Sequence, residues 1–457
     1  KHSKLIAERI RLEIHRRILQ PYYSRNDFWW MALDGKKRMV NNWNVWLNYN
    51  MLTTILLVED DPSRRIDGIY KTMRSVDQFI NYYKEDGACE EGPAYWSHAG
   101  GMLYNYLSML NLVTNHQVDL FDKPLIKNIA TYICKAYIDS TWFLNYADAS
   151  AKIQANAGLI YSFGMSVKEP VMQQFGAWLA KDQHWEQQLP IQNMYDGFRN
   201  LFTAKEVLSN KAAQPFIAGA WMEQTGIAVA RDEAGAANGF YFSALAGHND
   251  ESHNHNDVGT CVLFHDGHPL LIDLGNETYN SKTFGPERYG IWTMRSAFHN
   301  VPLINGAEQQ AGASYAARDV SFQDDTRTAV FKLDMAAAYP VNADVNKWER
   351  SYSLRRHHSF TISDKYSLKA NHGSSALHFM TTGIIEKKKE GLLQFVSGSS
   401  TITMEYDSKL LEAGIEPIRI TDKKLLESWP AQCFRIVLRL RNTKTSGSHH
   451  IVFRKPS

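Results

Sequence analysis

Up to about residue 220 the chain places apolar residues at intervals of three and four, the spacing of one face of a helix. Ile66, Ile69, Met73, Val76 and Ile80 form one stripe. Leu103, Leu107, Leu110 and Val113 form a second, and Leu125, Ile129, Tyr132 and Ile133 a third. Asp61-Pro62 marks a helix start, a capping carboxylate followed by proline in the first turn. Many amphipathic helices with short joints predict helical hairpins packed side by side, as a bundle or a ring.

Near Gly226 the period changes. Short alternating runs follow, and Thr260 to Phe264 and Leu270 to Ile272 flank Asp266-Gly267, a hairpin signal. Phe360 to Ile362 and Tyr366 to Leu368 repeat that arrangement around Asp364. Thr401 to Tyr406 alternates outward Thr and Glu with inward Ile, Met and Tyr, and Phe434 to Leu440 reads as a last strand. A helical first half and an antiparallel second half predict segregated α+β domains. The expected division is 1–225 helical, 226–390 central antiparallel β, and 391–457 a C-terminal β-sheet portion.

The length, 457 residues, exceeds what one hydrophobic core usually serves, in keeping with two or three domains. Charge is nearly balanced, 50 basic against 48 acidic residues, which leaves no electrostatic footprint for nucleic acid or an anionic membrane. No apolar run is long enough to predict membrane insertion. Cys89, Cys134, Cys261 and Cys433 are scattered, with neither a thiolate metal motif nor a dense disulfide framework. The charged first twenty residues read as an amphipathic helix, not a signal peptide. Oligomeric state is not legible.

The densest chemistry lies in Ser252-His253-Asn254-His255-Asn256-Asp257-Val258-Gly259. Downstream, Asp273 closes the run Leu270-Leu271-Ile272, and His299 sits in Ala297-Phe298-His299-Asn300. Two histidines and an aspartate suit a divalent metal, zinc above all. On the residues alone, a polar loop with satisfied hydrogen bonds accounts for the cluster equally well. Were residues 253 to 255 extended, His253 and His255 would point to one side and both could bind metal. Two further segments are too polar and aromatic for ordinary helix faces: Asn41-Asn42-Trp43-Asn44-Val45-Trp46, and Asp86 to His98, which contains Glu91-Gly92-Pro93-Ala94-Tyr95-Trp96. Caps and turns explain the asparagines and glycines there, but not the aromatic cluster.

Taken in order, the NNW, DGACEEGPAYW, SHNHNDVG, LLIDLG and FHN segments resemble the heparinase II/III-like superfamily of polysaccharide lyases. The resemblance implies an (α/α) toroid of helical hairpins followed by an antiparallel, sandwich-like β domain. It also implies β-elimination at uronic-acid residues of an acidic polysaccharide, in a periplasmic or secreted setting. Asn42 matches the carboxamide that binds the uronate carboxylate, with Asn41 its close competitor. Tyr95 matches the catalytic tyrosine, His253 the catalytic histidine, and Tyr289 a second site tyrosine. His255, Asp273 and His299 match the site of one structural zinc, which leaves His253 for catalysis. Trp43, Glu91, Trp96, His98 and Arg295 are expected to contact substrate. The helical half is short for a complete toroid, so further helices upstream are expected.

A uronyl C5-epimerase would share the proton abstraction but not expel O4. A zinc hydrolase and a non-catalytic glycan-binding protein are the remaining alternatives. The balanced charge disfavours the most sulfated heparin, because sulfate recognition calls for clustered Arg and Lys.

Overall fold

The computed structural model describes residues 3–191, 193–441 and 444–456. The chain forms two compact units, one from residues 1–89, 95–130 and 166–168, the other from 90–94, 131–165 and 169–457.

The first unit is helical. Its centre is α1 (Asn42–Val58), which packs against both α2 (Pro62–Tyr82) and α3 (Gly100–Val113). The first hairpin turns where the sequence marks it: the Asp61 carboxylate accepts hydrogen bonds from the backbone N–H of Ser63 and Arg64, and Pro62 opens the helix. Leu19, Tyr22, Met31, Met51 and Ile55 form a core at the N-terminal end. The inward face of α2 is rotated from the expected stripe. It buries Gly68, Thr72, Ser75, Val76 and Phe79, while Ile66 is exposed. Small and hydroxylated residues face inward because polar partners wait there: Ser75 Oγ donates to Met31 O and accepts from Asn48 Nδ2.

In the second unit, β1 (Gly219–Met222), β2 (Ile227–Arg231), β3 (Phe240–Leu245), β4 (Cys261–His265) and β5 (His268–Leu271) form an antiparallel meander in chain order. Asp266 and Gly267 join the last two with φ of 48° and 75°, the positive pair that a two-residue hairpin requires. Eight further strands are β6 (Arg318–Asp324), β7 (Thr328–Asp334), β8 (Val345–Arg355), β9 (Ser359–Leu368), β10 (Ile384–Lys389), β11 (Leu392–Ser397), β12 (Ser400–Tyr406) and β13 (Ser446–Arg454). They build one antiparallel sheet in the order β6-β7-β8-β9-β13-β12-β11-β10. A four-stranded sheet of Pro302–Leu303, Ala376–Thr381, Leu411–Arg419 and Gln432–Leu440 is the third large sheet; the unit also holds two short strand pairs and helices that include Pro170–Asp182 and Met194–Ser209. Inward side chains of all three sheets share one core, with Phe242 of β3 and Phe360 of β9 5.1 Å apart between ring centres. Helical hairpins followed by antiparallel, sandwich-like sheets are the expected α+β multidomain class.

One expected hairpin does not form. β9 runs unbroken through Asp364, whose side chain points into the core and receives Nε and Nη2 of Arg350, from β8, at 2.7 Å each. A charge with a bidentate partner can occupy mid-strand, so an aspartate between two apolar runs is not by itself a turn.

Candidate active site and metal centre

The chemistry of the second unit gathers around a residue that the sequence did not single out, Asp148. Its carboxylate is fully withdrawn from solvent. Oδ2 lies 2.8 Å from His253 Nδ1 and accepts from the Tyr279 hydroxyl at 3.4 Å. Oδ1 lies 3.3 Å from His255 Nε2 and accepts from Arg288 Nη2 at 2.8 Å. Burial opposes the charge on Asp148, but the hydrogen bonds from His253, His255 and Arg288 outweigh it and hold the carboxyl well below its ordinary range.

The loop that carries Asp148 is clamped on two sides. Gly92, at φ +85°, sits so close that an added Cβ would lie 2.5 Å from Ala149 Cβ. Gly275, at φ +73°, would bring a Cβ within 2.8 Å of Ala149 O. Asn145 Nδ2 donates to Asp273 O at 2.8 Å, which ties the Asp148 loop to the metal-candidate aspartate. Only glycine admits both this approach and the left-handed backbone.

Residues 253 to 255 are not extended. His253 adopts a left-handed conformation, φ 59°, inside a turn. The Arg288 guanidinium holds that turn, donating from Nη2 to His253 O at 2.7 Å and from Nε to Asn254 O at 3.2 Å. The same-side alternation of a strand therefore does not apply, and the two imidazoles part. His253 reaches Glu91, with Nε2 3.3 Å from Oε1, while His255 turns into the protein interior with no side-chain exposure. Burial, reinforced by the Asp148 charge and opposed by His253, pushes the Glu91 carboxyl above its ordinary value.

His255, Asp273 and His299 each offer one ligand atom within 4.8 Å of the others, and all three are buried. His299 Nδ1 lies 2.8 Å from Asp273 Oδ2. Buried and without hydrogen-bond partners are His255 Nδ1, His299 Nε2 and Asp257 Oδ2. The two orphaned imidazole nitrogens, joined by an Asp273 carboxylate oxygen, form an N,N,O donor set that a divalent cation such as zinc would satisfy, and Asp257 Oδ2, 4.0 Å from His299 Nδ1, is a further orphaned oxygen beside it. Burial lowers the His255 pKa, which favours the neutral imidazole that a metal requires, whereas at His299 the Asp273 and Asp257 carboxylates outweigh burial and push the imidazole up to about 9, so a cation there takes the place of a proton. The residues present fit the group. Asn300 braces the cluster from behind, its Nδ2 donating to Cys261 O at 2.6 Å and to Ile272 O at 3.0 Å.

The other expected site residues divide. Tyr289, half-buried, donates its hydroxyl to Asn254 Oδ1 at 2.8 Å, which puts it beside the His253 turn. Glu91, expected to touch substrate, is instead buried against His253. Arg295, expected at the substrate, has its guanidinium taken up by Glu308 at the surface.

In the helical unit, Asn41 caps α1 by accepting from Trp43 N, and Asn42 is the first residue of that helix. Tyr95 stands on the single turn Pro93–Trp96. Its ring is 6.5 Å from that of His98, which is 5.4 Å from Trp46; Trp46 is in turn 5.7 Å from the exposed Trp43. Trp96 does not belong to this row. It is 1 % exposed and its indole N–H donates to Ile129 O at 2.7 Å, so it is a core residue, not a sugar platform.

Sequence reasoning missed Asp148 and Arg288. The signal for Arg288 was its place beside Tyr289. Asp148, in Asn145-Tyr146-Ala147-Asp148-Ala149, carried no pattern that marks it.

The C-terminal domain of the heparinase II/III-like family matches residues 217–448, just over half of the chain. No curated protein matches in sequence. Among solved structures, a heparinase III with methylated lysines superimposes with a TM-score of 0.71 at 13 % identity, over 99 % of this chain and 62 % of its own. The heparan sulfate lyase HepC of Pedobacter heparinus gives 0.70 at 12 % identity, over 97 % of this chain and 62 % of its own. A further heparinase III gives 0.63 at 14 % identity, over 91 % and 61 %. The chain thus spans about 62 % of the length of the first two of these structures, and at these identities they share its fold.

Proposed function

The chain belongs to the heparinase II/III-like family, and from that premise we propose that it acts as a polysaccharide lyase on a uronate-containing, glycosaminoglycan-like polymer. The observation that carries the reading is the His253 imidazole, seated between the Asp148 and Glu91 carboxylates beside a buried N,N,O cluster.

The C5 proton of a uronate is weakly acidic because the adjacent carboxylate is already negative. Its removal needs a base and stabilisation of the enolate-like dianion that develops; departure of O4 needs an acid. Asp148, accepting at Nδ1 of His253, would leave Nε2 as the basic nitrogen, with Glu91 beside it to offset the positive charge it gains. Tyr95 supplies the second proton-transferring group and Asn42 the carboxamide for the uronate carboxylate, both carried over from the family resemblance. Tyr289 would hold Asn254 and so the turn that aims His253. His98 and Trp43, along the aromatic row of the helical unit, are the side chains best suited to sugar faces. His255, Asp273 and His299 would hold a single zinc, whose charge would brace the loop that follows His253. A secreted or periplasmic setting suits such a substrate; among the described residues no helix is long and apolar enough to cross a membrane.

The test is a panel of heparan sulfate, hyaluronan, chondroitin, alginate and gellan, followed by ultraviolet absorbance of the unsaturated uronate. Absorbance with one polymer supports the proposal. Loss of C5 tritium without absorbance would point to epimerisation, and affinity without either to a glycan-binding protein.

A further inference from the structure

The two carboxylate oxygens of Asp148 are divided between the two imidazoles of the His-Asn-His turn: Oδ2 at His253 Nδ1, Oδ1 at His255 Nε2. Each ring thereby has one hold from the same carboxylate. At His255 the other nitrogen, Nδ1, is buried and has no partner. At His253 the other nitrogen, Nε2, lies 3.3 Å from Glu91 Oε1, on a side chain that keeps 18 % of its exposure. We propose that Asp148 is a positioning residue that sets both rings at once, presenting His255 Nδ1 to the metal and His253 Nε2 to the substrate. The second half of this inference rests on the lyase reading; the first does not.

A metal-bound imidazole usually donates its remote N–H to a carboxylate, which fixes the tautomer and strengthens the donor. Asp148 has the geometry for that at His255, and for the analogous hold on a general base at His253. One carboxylate serving two imidazoles would ordinarily leave its remaining lone pairs in a low-dielectric interior. Arg288 and Tyr279 occupy them. Arg288 also donates to the His253 and Asn254 carbonyls, so the residue that balances the Asp148 charge also folds the turn that brings both rings to it. The clamp by Gly92 and Gly275 leaves the loop little freedom to serve one ring without the other.

The first experiment uses the wild-type chain with zinc bound and histidine labelled with ¹⁵N. His253 should appear as the Nδ1–H tautomer, and His255 as Nε2–H with Nδ1 shifted by the metal. The opposite tautomer at either ring overturns the proposal. The second compares Asp148→Asn and Asp148→Glu with the parent, zinc affinity being read by competition with a chromophoric chelator. Asp148→Asn should lose about 10- to 100-fold in zinc affinity, the usual effect of removing such a partner. It should lower kcat with KM held within about threefold, and Asp148→Glu should recover part of both. Zinc affinity and kcat moving independently, one lost and the other intact, would overturn the shared role. Should Asp148→Asn not fold, the wild-type tautomers decide. A wild type that makes no unsaturated product defeats the lyase reading while zinc affinity and ring tautomers still judge Asp148.

Discussion

Oε1 of Glu91 lies 3.3 Å from Nε2 of His253, with both side chains largely withdrawn from water. A carboxylate in that position stabilises the imidazole after it has taken a proton. Glu91→Gln keeps the shape and removes the charge. A hydrogen bond to a charged group contributes about 1.5–3 kcal/mol, so kcat/KM should fall by about 10- to 100-fold. Steady-state rates within about threefold of the parent would take Glu91 out of the mechanism.

The proposed lyase reaction has Asn42 and His253 serve the same chemical step. Asn42→Ala should cost on the order of 2.7–4 kcal/mol of transition-state stabilisation, the worth of one oxyanion donor. His253→Ala should be at least as severe. The double variant should lose far less than the sum of the two, because groups that serve one step act as a unit. Additive losses in kcat/KM would show that the two serve separate steps.

Tyr95→Phe removes one hydroxyl from the turn Pro93–Trp96. Fold and substrate affinity should persist while kcat falls by roughly 10²–10⁴-fold, the usual contribution of one general acid or base. Circular dichroism, affinity and single-turnover rates check the three parts; an unchanged rate would reassign the proton to another group.

Protein purified without added metal should carry about one equivalent of zinc by elemental analysis. His255→Ala should abolish that occupancy, and the stripped protein should unfold at a lower temperature. No divalent metal in the parent, or full occupancy in the variant, would defeat the assignment of His255, Asp273 and His299.

Arg350 and Asp364 are both sealed from solvent. Burial raises the cost of the Asp364 charge, but the Arg350 guanidinium outweighs it and holds the carboxyl well below its ordinary value. A depressed pKa contributes stability that is present above the unfolded value, about 3.9, and is lost as pH falls towards the folded one. Denaturant melts of the parent should therefore weaken progressively below about pH 4. Asp364→Asn should flatten this dependence and cost about 3–5 kcal/mol at neutral pH by leaving Arg350 uncompensated. A parent curve that does not weaken over that range would mean the pair contributes nothing to acid stability.

Several elements could be read directly from residue order. Asp61-Pro62 is a local cap, Asp266-Gly267 is a local turn, and the alternation from Ser400 to Tyr406 is seen in the burial of every second residue. Each depends on interactions within a few positions. His255, Asp273 and His299 lie 18 and 26 positions apart, and it was the resemblance to the heparinase II/III-like family that marked them as one donor set before their convergence was known. Tertiary structure decided what depends on distant partners. It made Asp364 a core ion pair and not a turn, because Arg350 stands opposite on β8; it took Trp96 into the core because Ile129 O awaited its N–H. It turned His253 and His255 apart through Arg288, 35 positions from His253, and placed Asp148, 105 positions away, between them. A buried charge is tolerable only where its counter-charges converge, and that convergence is a property of the folded chain, invisible in the spacing of residues along it.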